Sequence, residues 1–259
     1  MKKTPAILLT FDLEEFDLPL EYGIDVPVDE QMQVGKEGLG IIENLLNDFK
    51  VECTLFTTAN FALRFPYAIK ELSKTHEIAS HAFYHASFKD EDLKKSLDVL
   101  ENIISKKVFG LRMPRMKTAD IALIKDAGLV YDSSLNPTWI PGRYNNFNKP
   151  RTVYVEQGVT ELPVSVSPNL RIPLFWLSFK NFPYIFFKKI ALQCLKKDGY
   201  LNLYFHPWEF TDLNCYNLPA MVKRKSGDLL QKQLQRLISD LKKEGEFMTV
   251  CRFLENTIS

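Results

Sequence analysis

The sequence predicts a single α/β domain, a β/α barrel of seven or eight strands. Two observations predict it. Strand-like and helix-like runs alternate through most of the 259 residues, which implies a parallel sheet. Four apolar runs also end in charged or imidazole side chains, and a barrel gathers such strand ends at one rim. About seven or eight such units in a chain of this length suit a closed barrel better than an open sheet. No break in composition and no internal repeat divides residues 1–259, so one domain is expected. A 46% hydrophobic share with 25% charged residues is that of an ordinary globular core. Thirty-three basic against thirty-two acidic side chains leave +1, which excludes the charge footprint of a nucleic-acid binder.

Taken in order, AILLTFD (6–12) reads as a buried first strand. The preceding MKKTP imitates the start of a signal peptide, but the apolar run is short, an acidic cluster ends it and no small-residue cleavage site follows. The expected location is the cytoplasm. Cys53, Cys194, Cys215 and Cys251 show neither metal spacing nor a dense disulfide framework and read as reduced thiols. Apolar residues at helical spacing mark 38–49, the β-branched VECTLFTT (51–58) is a strand, and 61–74 is a helix with Pro66 near its first turns. A short strand at 77–81 precedes an amphipathic helix at 90–106 with a solvated charged face. Then come a strand at 108–112, a helix at 118–127 capped by Thr118, and a strand at 130–133. Turn residues make NPTWIPGRYNNFNKPRTVY a long loop. Order returns at 159–166, at a strand over 200–206, at a helix over 228–243 and at a last strand over 247–253. The aromatic segment 173–195 is interrupted by Lys180, Asn181, Pro183, Lys188 and Lys189. It falls short of the ~20 apolar residues that a span requires. A packed helix or groove wall is expected there, with peripheral membrane contact as the alternative.

The strand ends carry the chemistry. Asp12 and Glu14 close the first strand, His81 the third, Arg112 the fourth and His206 the run YLNLYFH. His81 and His85 stand four apart, a spacing that brings two imidazoles to one side of a helical turn. Such a pair with one carboxylate can form an open three-ligand metal site. Histidines at this spacing also occur often without a metal. The acidic cluster Asp12, Glu14, Glu15 and Asp17 favours the metal, because buried carboxylates and imidazoles need a neutralising partner. His76 reads as a surface histidine. Asp132 could hold Arg112 or a substrate, or simply cap a turn.

The ordered set LLTFDLEEF, HEIASHAFYH, LRMP and LYFHPWEF resembles the polysaccharide deacetylase family, of the NodB-homology or carbohydrate esterase 4 type. The similarity runs from about Pro5 to Phe210. It implies a distorted β/α barrel and metal-dependent hydrolysis of N-acetyl groups on amino sugars. By that resemblance Asp12 is the general base, His81 and His85 are metal ligands, Arg112 orients Asp12, and His206 is the general acid for the leaving amine. The family's second aspartate is replaced by Leu13, which leaves Glu14, or else Asp12, as third ligand. Ala82 stands where the family has serine or threonine, and the arginine motif reads RMPRM. Trp139, Arg143 and Tyr144 on the long loop, with Trp208, are candidate sugar contacts.

The expectation is therefore a hydrolase of non-peptide amide bonds. It would use one divalent ion, zinc in first place with cobalt or nickel as alternatives. Its substrate would be an N-acetylated saccharide, a cytoplasmic or lipid-linked intermediate and not mature wall. A cyclic amide or allantoin-like ring is the alternative substrate. A catalytically silent saccharide binder is the alternative from outside enzymology, with Leu13 as its support.

Overall fold

The computed structural model describes residues 4–258. Strand β1 (Ala6–Leu13) is buried along its whole length, because parallel neighbours flank it on both sides. That explains a continuous apolar run where a half-exposed strand would alternate. The chain continues through α1 (Val28–Phe49), β2 (Thr54–Thr57), α2 (Ala59–Arg64), α3 (Pro66–Leu72), β3 (Glu77–Ser80) and α4 (Asp90–Ile104). Next come β4 (Gly110–Leu111), α5 (Ile121–Asp126), β5 (Tyr131–Asp132) and a small hairpin, β6 (Trp139–Ile140) with β7 (Tyr144–Asn145). A second hairpin, β8 (Tyr154–Glu156) and β9 (Val159–Glu161), leads to α6 (Trp176–Asn181), α7 (Tyr184–Asp198) and β10 (Tyr200–Phe205). The last elements are α8 (Ala220–Lys223), α9 (Asp228–Leu241), β11 (Glu246–Phe247) and α10 (Val250–Ile258).

The main sheet runs β10-β1-β2-β3-β4-β5-β9-β8, parallel except for β8, and β11 fills the edge of β1 before β2 begins. It curls into a distorted, part-closed barrel with seven parallel strands along that path. The gap between β9 and β10 is bridged, not laddered. Ser165 N–H donates to the Asn202 carbonyl at 3.0 Å, and Phe175 and Tyr204 form an isolated bridge. Alternation along β1 sends Ile7, Leu9 and Phe11 into the core beneath the helices. Ala6 and Leu8 face an inner cluster with Phe56, Tyr131 and Tyr200. Asp12 shares the inward parity, so the same rule that builds the inner core points a carboxylate into the top of the barrel.

Four expectations are corrected. Residues 247–253 are not a strand: β11 ends at Phe247 and α10 follows, with Val250, Phe253 and Leu254 buried at helical spacing. Helix α1 begins at Val28, ten residues earlier than expected, because Gly35 and Gly38 are packing positions inside it. The 61–74 helix is two, broken at Phe65 where Pro66 starts α3. Asp120 caps α5 in place of Thr118, accepting from Ala122 N–H at 2.9 Å. The aromatic segment is two helices parted at Phe182-Pro183, and no described helix is long and apolar enough to cross a membrane.

Candidate metal and catalytic site

Arg112 follows β4 directly and is fully buried, which it tolerates because every face of the guanidinium is engaged. Nη1 donates to Asp12 Oδ1 at 2.6 Å and to Thr10 Oγ1 at 2.8 Å. Nε and Nη2 donate to Ser133 O and Oγ, and the Phe56 ring lies 4.0 Å from the guanidinium carbon. One carboxylate oxygen of Asp12 is thereby held, and Oδ2 is left facing His206. Asp132 does not join this arrangement. It accepts from the backbone and hydroxyl of Ser134, so the turn-capping reading is the one realised.

Glu14, His81 and His85 bring one ligand atom each to within 4.8 Å of one another. No helical turn brings the two histidines together. They flank a loop in which Ala82 adopts φ +59°, and Ala59 N–H and Asn60 N–H of α2 donate to the carbonyls of Ala82 and Phe83. Ser80 Oγ accepts from Ala82 N–H, so a hydroxyl two residues upstream supports this loop where residue 82 has none. His81 Nδ1 is 2.7 Å from the Arg112 carbonyl, an acceptor only, so Nδ1 carries the proton and Nε2 is the free donor atom. His85 Nδ1 donates to Asp17 Oδ1 at 2.6 Å in the same way. The two Nε2 atoms lie 2.9 and 3.1 Å from Glu14 Oε2, and Trp208 Nε1–H holds the other oxygen, Oε1, at 3.1 Å. Two imidazoles fixed through Nδ1 and one carboxylate fixed by a neutral donor are a donor set that suits zinc or a neighbouring divalent ion. The residues fit such an ion.

Electrostatics agree with that fit. Burial alone would raise the pKa of Glu14, but His85, His206 and His81 outweigh it and hold the carboxyl far below its ordinary range. Burial works against the charged form of His85 as well, yet Glu14 and Asp17 raise its pKa to about 9. The metal-free cluster therefore keeps a proton where an ion would go.

His206 follows β10, the strand that pairs with β1. Its Nδ1 donates to Glu209 Oε1 at 3.0 Å, and the same oxygen accepts the His206 backbone N–H at 2.7 Å. Nε2 points inward, 3.9 Å from Asp12 Oδ2 and from Glu14 Oε1. The ring stacks on Trp208 at 4.8 Å and meets the Trp176 ring edge-on at 5.3 Å. Burial disfavours its cation, but Glu14 and Glu209 prevail and its pKa is raised. Behind Glu209 lies Lys180, wholly buried, with Nζ 3.6 Å from Oε2.

Asp12, Glu14, His81, His85 and His206 line a cavity of about 350 Å³. Trp139 and Tyr144 of the β6–β7 hairpin wall one side and Phe175, Trp176 and Phe182 the other. Arg143 also lines it, tied to Glu21 at 2.9 Å. Trp208 differs from expectation in that its N–H is engaged by Glu14, leaving only its ring beside the cavity. His76 is buried, not superficial; burial lowers its pKa and its Nδ1 has no partner. Glu209, Trp176 and Lys180 were not anticipated here, and Asp17, expected only as part of the acidic cluster, orients His85. Of these, Glu209 had a signal, since a carboxylate three residues after a strand-ending histidine, ahead of a turn, is the spacing of a capping box. The four cysteines are unpaired.

Residues 133–255 match the family model of a domain of unknown function, DUF3473. A search of the curated proteins returns no match. Among solved structures, a Mycobacterium smegmatis protein assigned as a polysaccharide deacetylase is similar at TM-score 0.66 and 18% identity, over 99% of this chain and 91% of that one. A CE4 family pseudoenzyme of Bacillus anthracis aligns at TM-score 0.56 and 12% identity, over 98% and 66% of the two chains. PuuE allantoinase aligns at 0.61 and 16%, over 97% and 90%. The chain thus has the NodB-type fold of the polysaccharide deacetylases.

Proposed function

We propose that the chain is a metal-dependent amide hydrolase that removes N-acetyl groups from an amino-sugar-containing saccharide. The observation that carries this reading is one carboxylate and one imidazole brought together beside a three-residue donor cluster. Asp12, held by Arg112, and His206, held by Glu209, face each other, with Nε2 3.9 Å from Asp12 Oδ2 and 3.9 Å from Glu14 Oε1. Glu14, His81 and His85 would hold the ion, which when bound supplies Lewis acidity for the acetyl carbonyl and for water.

The chain's own residues account for the proton traffic. Asp12 Oδ2, left free by Arg112, accepts a proton as the water oxygen bonds to the acetyl carbon. His206 Nε2–H then gives its proton to the nitrogen as the C–N bond breaks, releasing acetate and a free amine. Glu209 fixes the ring through Nδ1 so that Nε2 faces the reaction. Arg112 keeps Asp12 in place and its charge compensated. The aromatic walls, Trp139, Tyr144 and Trp176, suit the apolar faces of sugar rings, and Phe175 and Phe182 extend the groove towards an apolar or lipid-carried portion of a substrate.

The test is acetate release from N-acetylated chito-oligosaccharides, free and lipid-linked, with a cyclic ureide in the same panel, after chelation and zinc reloading. Release that disappears in Asp12→Asn and without metal supports the reading. Ring opening of the ureide without acetate release moves the activity to the allantoinase-like alternative. Saccharide binding with no turnover by the reloaded protein supports the silent binder.

A further inference from the structure

We infer that the outer face of α7, together with the loop at 168–172, docks on an anionic lipid bilayer. Three large apolar side chains stand in solvent there: Leu170 is 74% exposed, Ile185 73% and Phe186 43%. An isolated exposed leucine needs no explanation, but these are interleaved with cations in a continuous surface. Two hollows, of about 630 and 520 Å³, flank the helix and share Lys189, Gln193 and Lys196 as the ridge between them. Leu170 and Phe186 line the first with Lys197, and Ile185 lines the second with Arg236.

Charge decides the occupant. Lys189, Lys196 and Lys197 have no ion-pair partner among the described residues. Asp240, at the edge of this face, is held by Lys188 at 2.9 Å and by the Tyr184 hydroxyl at 2.6 Å. The whole chain carries only +1, so this is a local concentration and not general basicity. Apolar side chains standing among unpaired lysines suit an interface in which apolar groups enter the acyl boundary while ammonium groups meet phosphate. A second copy of the chain would set the same lysines against each other. A soluble polyanion would leave Leu170, Ile185 and Phe186 in water. The face also adjoins the catalytic cavity. The Phe186 ring packs on Phe182 at 5.5 Å, and Phe182 lines that cavity.

Co-sedimentation with vesicles tests the inference without any assay of catalysis, so it stands or falls apart from the hydrolase reading. The probes are vesicles of pure phosphatidylcholine and vesicles with about 30 mol % phosphatidylglycerol. The expected result is binding to the anionic vesicles alone, weakened at least roughly tenfold between about 0.05 and 0.5 M salt. Lys189→Glu/Lys196→Glu should weaken binding by more than about tenfold. Ile185→Ser/Phe186→Ser should weaken it as well, at unchanged circular dichroism, since both side chains are exposed. No binding to anionic vesicles overturns the inference. So does unchanged binding by both variants, or retention on soluble heparin with none on vesicles.

Discussion

Arg112 is a guanidinium with no exposed surface, and it makes a 2.6 Å contact with the likewise buried Asp12 carboxylate. Replacing it with methionine keeps much of the volume but leaves a carboxylate uncompensated in the barrel. Arg112→Met is expected to lose roughly 3–5 kcal/mol of stability by urea denaturation, whereas an exposed pair such as Arg64–Asp29 should give less than about 1 kcal/mol on Arg64→Ala. A second prediction follows from His85. In the metal-free protein its pKa is raised to about 9, so at neutral pH it holds a proton that an incoming ion must displace. Zinc affinity should therefore rise as pH climbs towards about 9, by up to tenfold per unit. Calorimetric titration in buffers of different ionisation enthalpy should detect proton release, and a flat pH profile would count against this account. Much of this was legible in single letters. Asp12, Arg112 and His206 each end an apolar run, and a strand end in a parallel barrel is a statement about position. Asp17 and Lys180 were not, because their roles come from a loop return and from a helix packing at a distance that no local pattern encodes.

At the scale of elements, the site depends on how closely α1 approaches the turn after β10. A Cβ on Gly38 would stand 2.1 Å from the Pro207 carbonyl oxygen and 2.8 Å from Trp208 N. These are backbone atoms, and they belong to the turn that carries His206, Trp208 and Glu209. Gly38→Ala should cost about 1–3 kcal/mol and lower metal affinity, because Trp208 would shift away from Glu14. Gly40, one helical position pair away, has nothing within 4 Å of an added Cβ, so Gly40→Ala should stabilise by about 0.5–1 kcal/mol. Thermal melts of both variants and zinc titration of the first check this. Gly35 and Gly38 hid the start of α1 from the sequence: they weaken helical propensity at the points where tertiary packing requires them. The carboxy-terminal misreading has the opposite cause, since Val250, Phe253 and Leu254 satisfy a helix while Phe247, Thr249 and Val250 suggest a strand.

At the scale of the whole molecule, β5 and β9 place Asp132 and Glu161 side by side in register. Burial, then the charges of Asp132 and Glu156, raise the pKa of Glu161 from 4.5 to about 8, and burial raises that of Asp132 to about 6. A carboxyl whose pKa is raised on folding binds more protons folded than unfolded, so stability falls as pH climbs from about 4.5 to about 8. Glu161→Gln removes that loss. Its melting temperature should exceed that of the unmodified chain by at least about 2 °C at the upper end of this window and match it at the lower end. Equal differences at both ends would refute the sign. The barrel was readable from the alternation of strands and helices, and its rim from the charged and imidazole residues that end the strands. The incomplete seam between β9 and β10 was not, since it depends on single long-range hydrogen bonds such as Ser165 to Asn202.

The most direct test of the metal site is zinc stoichiometry, measured by elemental analysis after chelation and reloading, for the unmodified chain, His81→Ala and Glu14→Ala. The account predicts about one ion per chain in the first and a loss in both variants, since each removes one of three donors. No ion in the unmodified chain, or full occupancy in either variant, would contradict it.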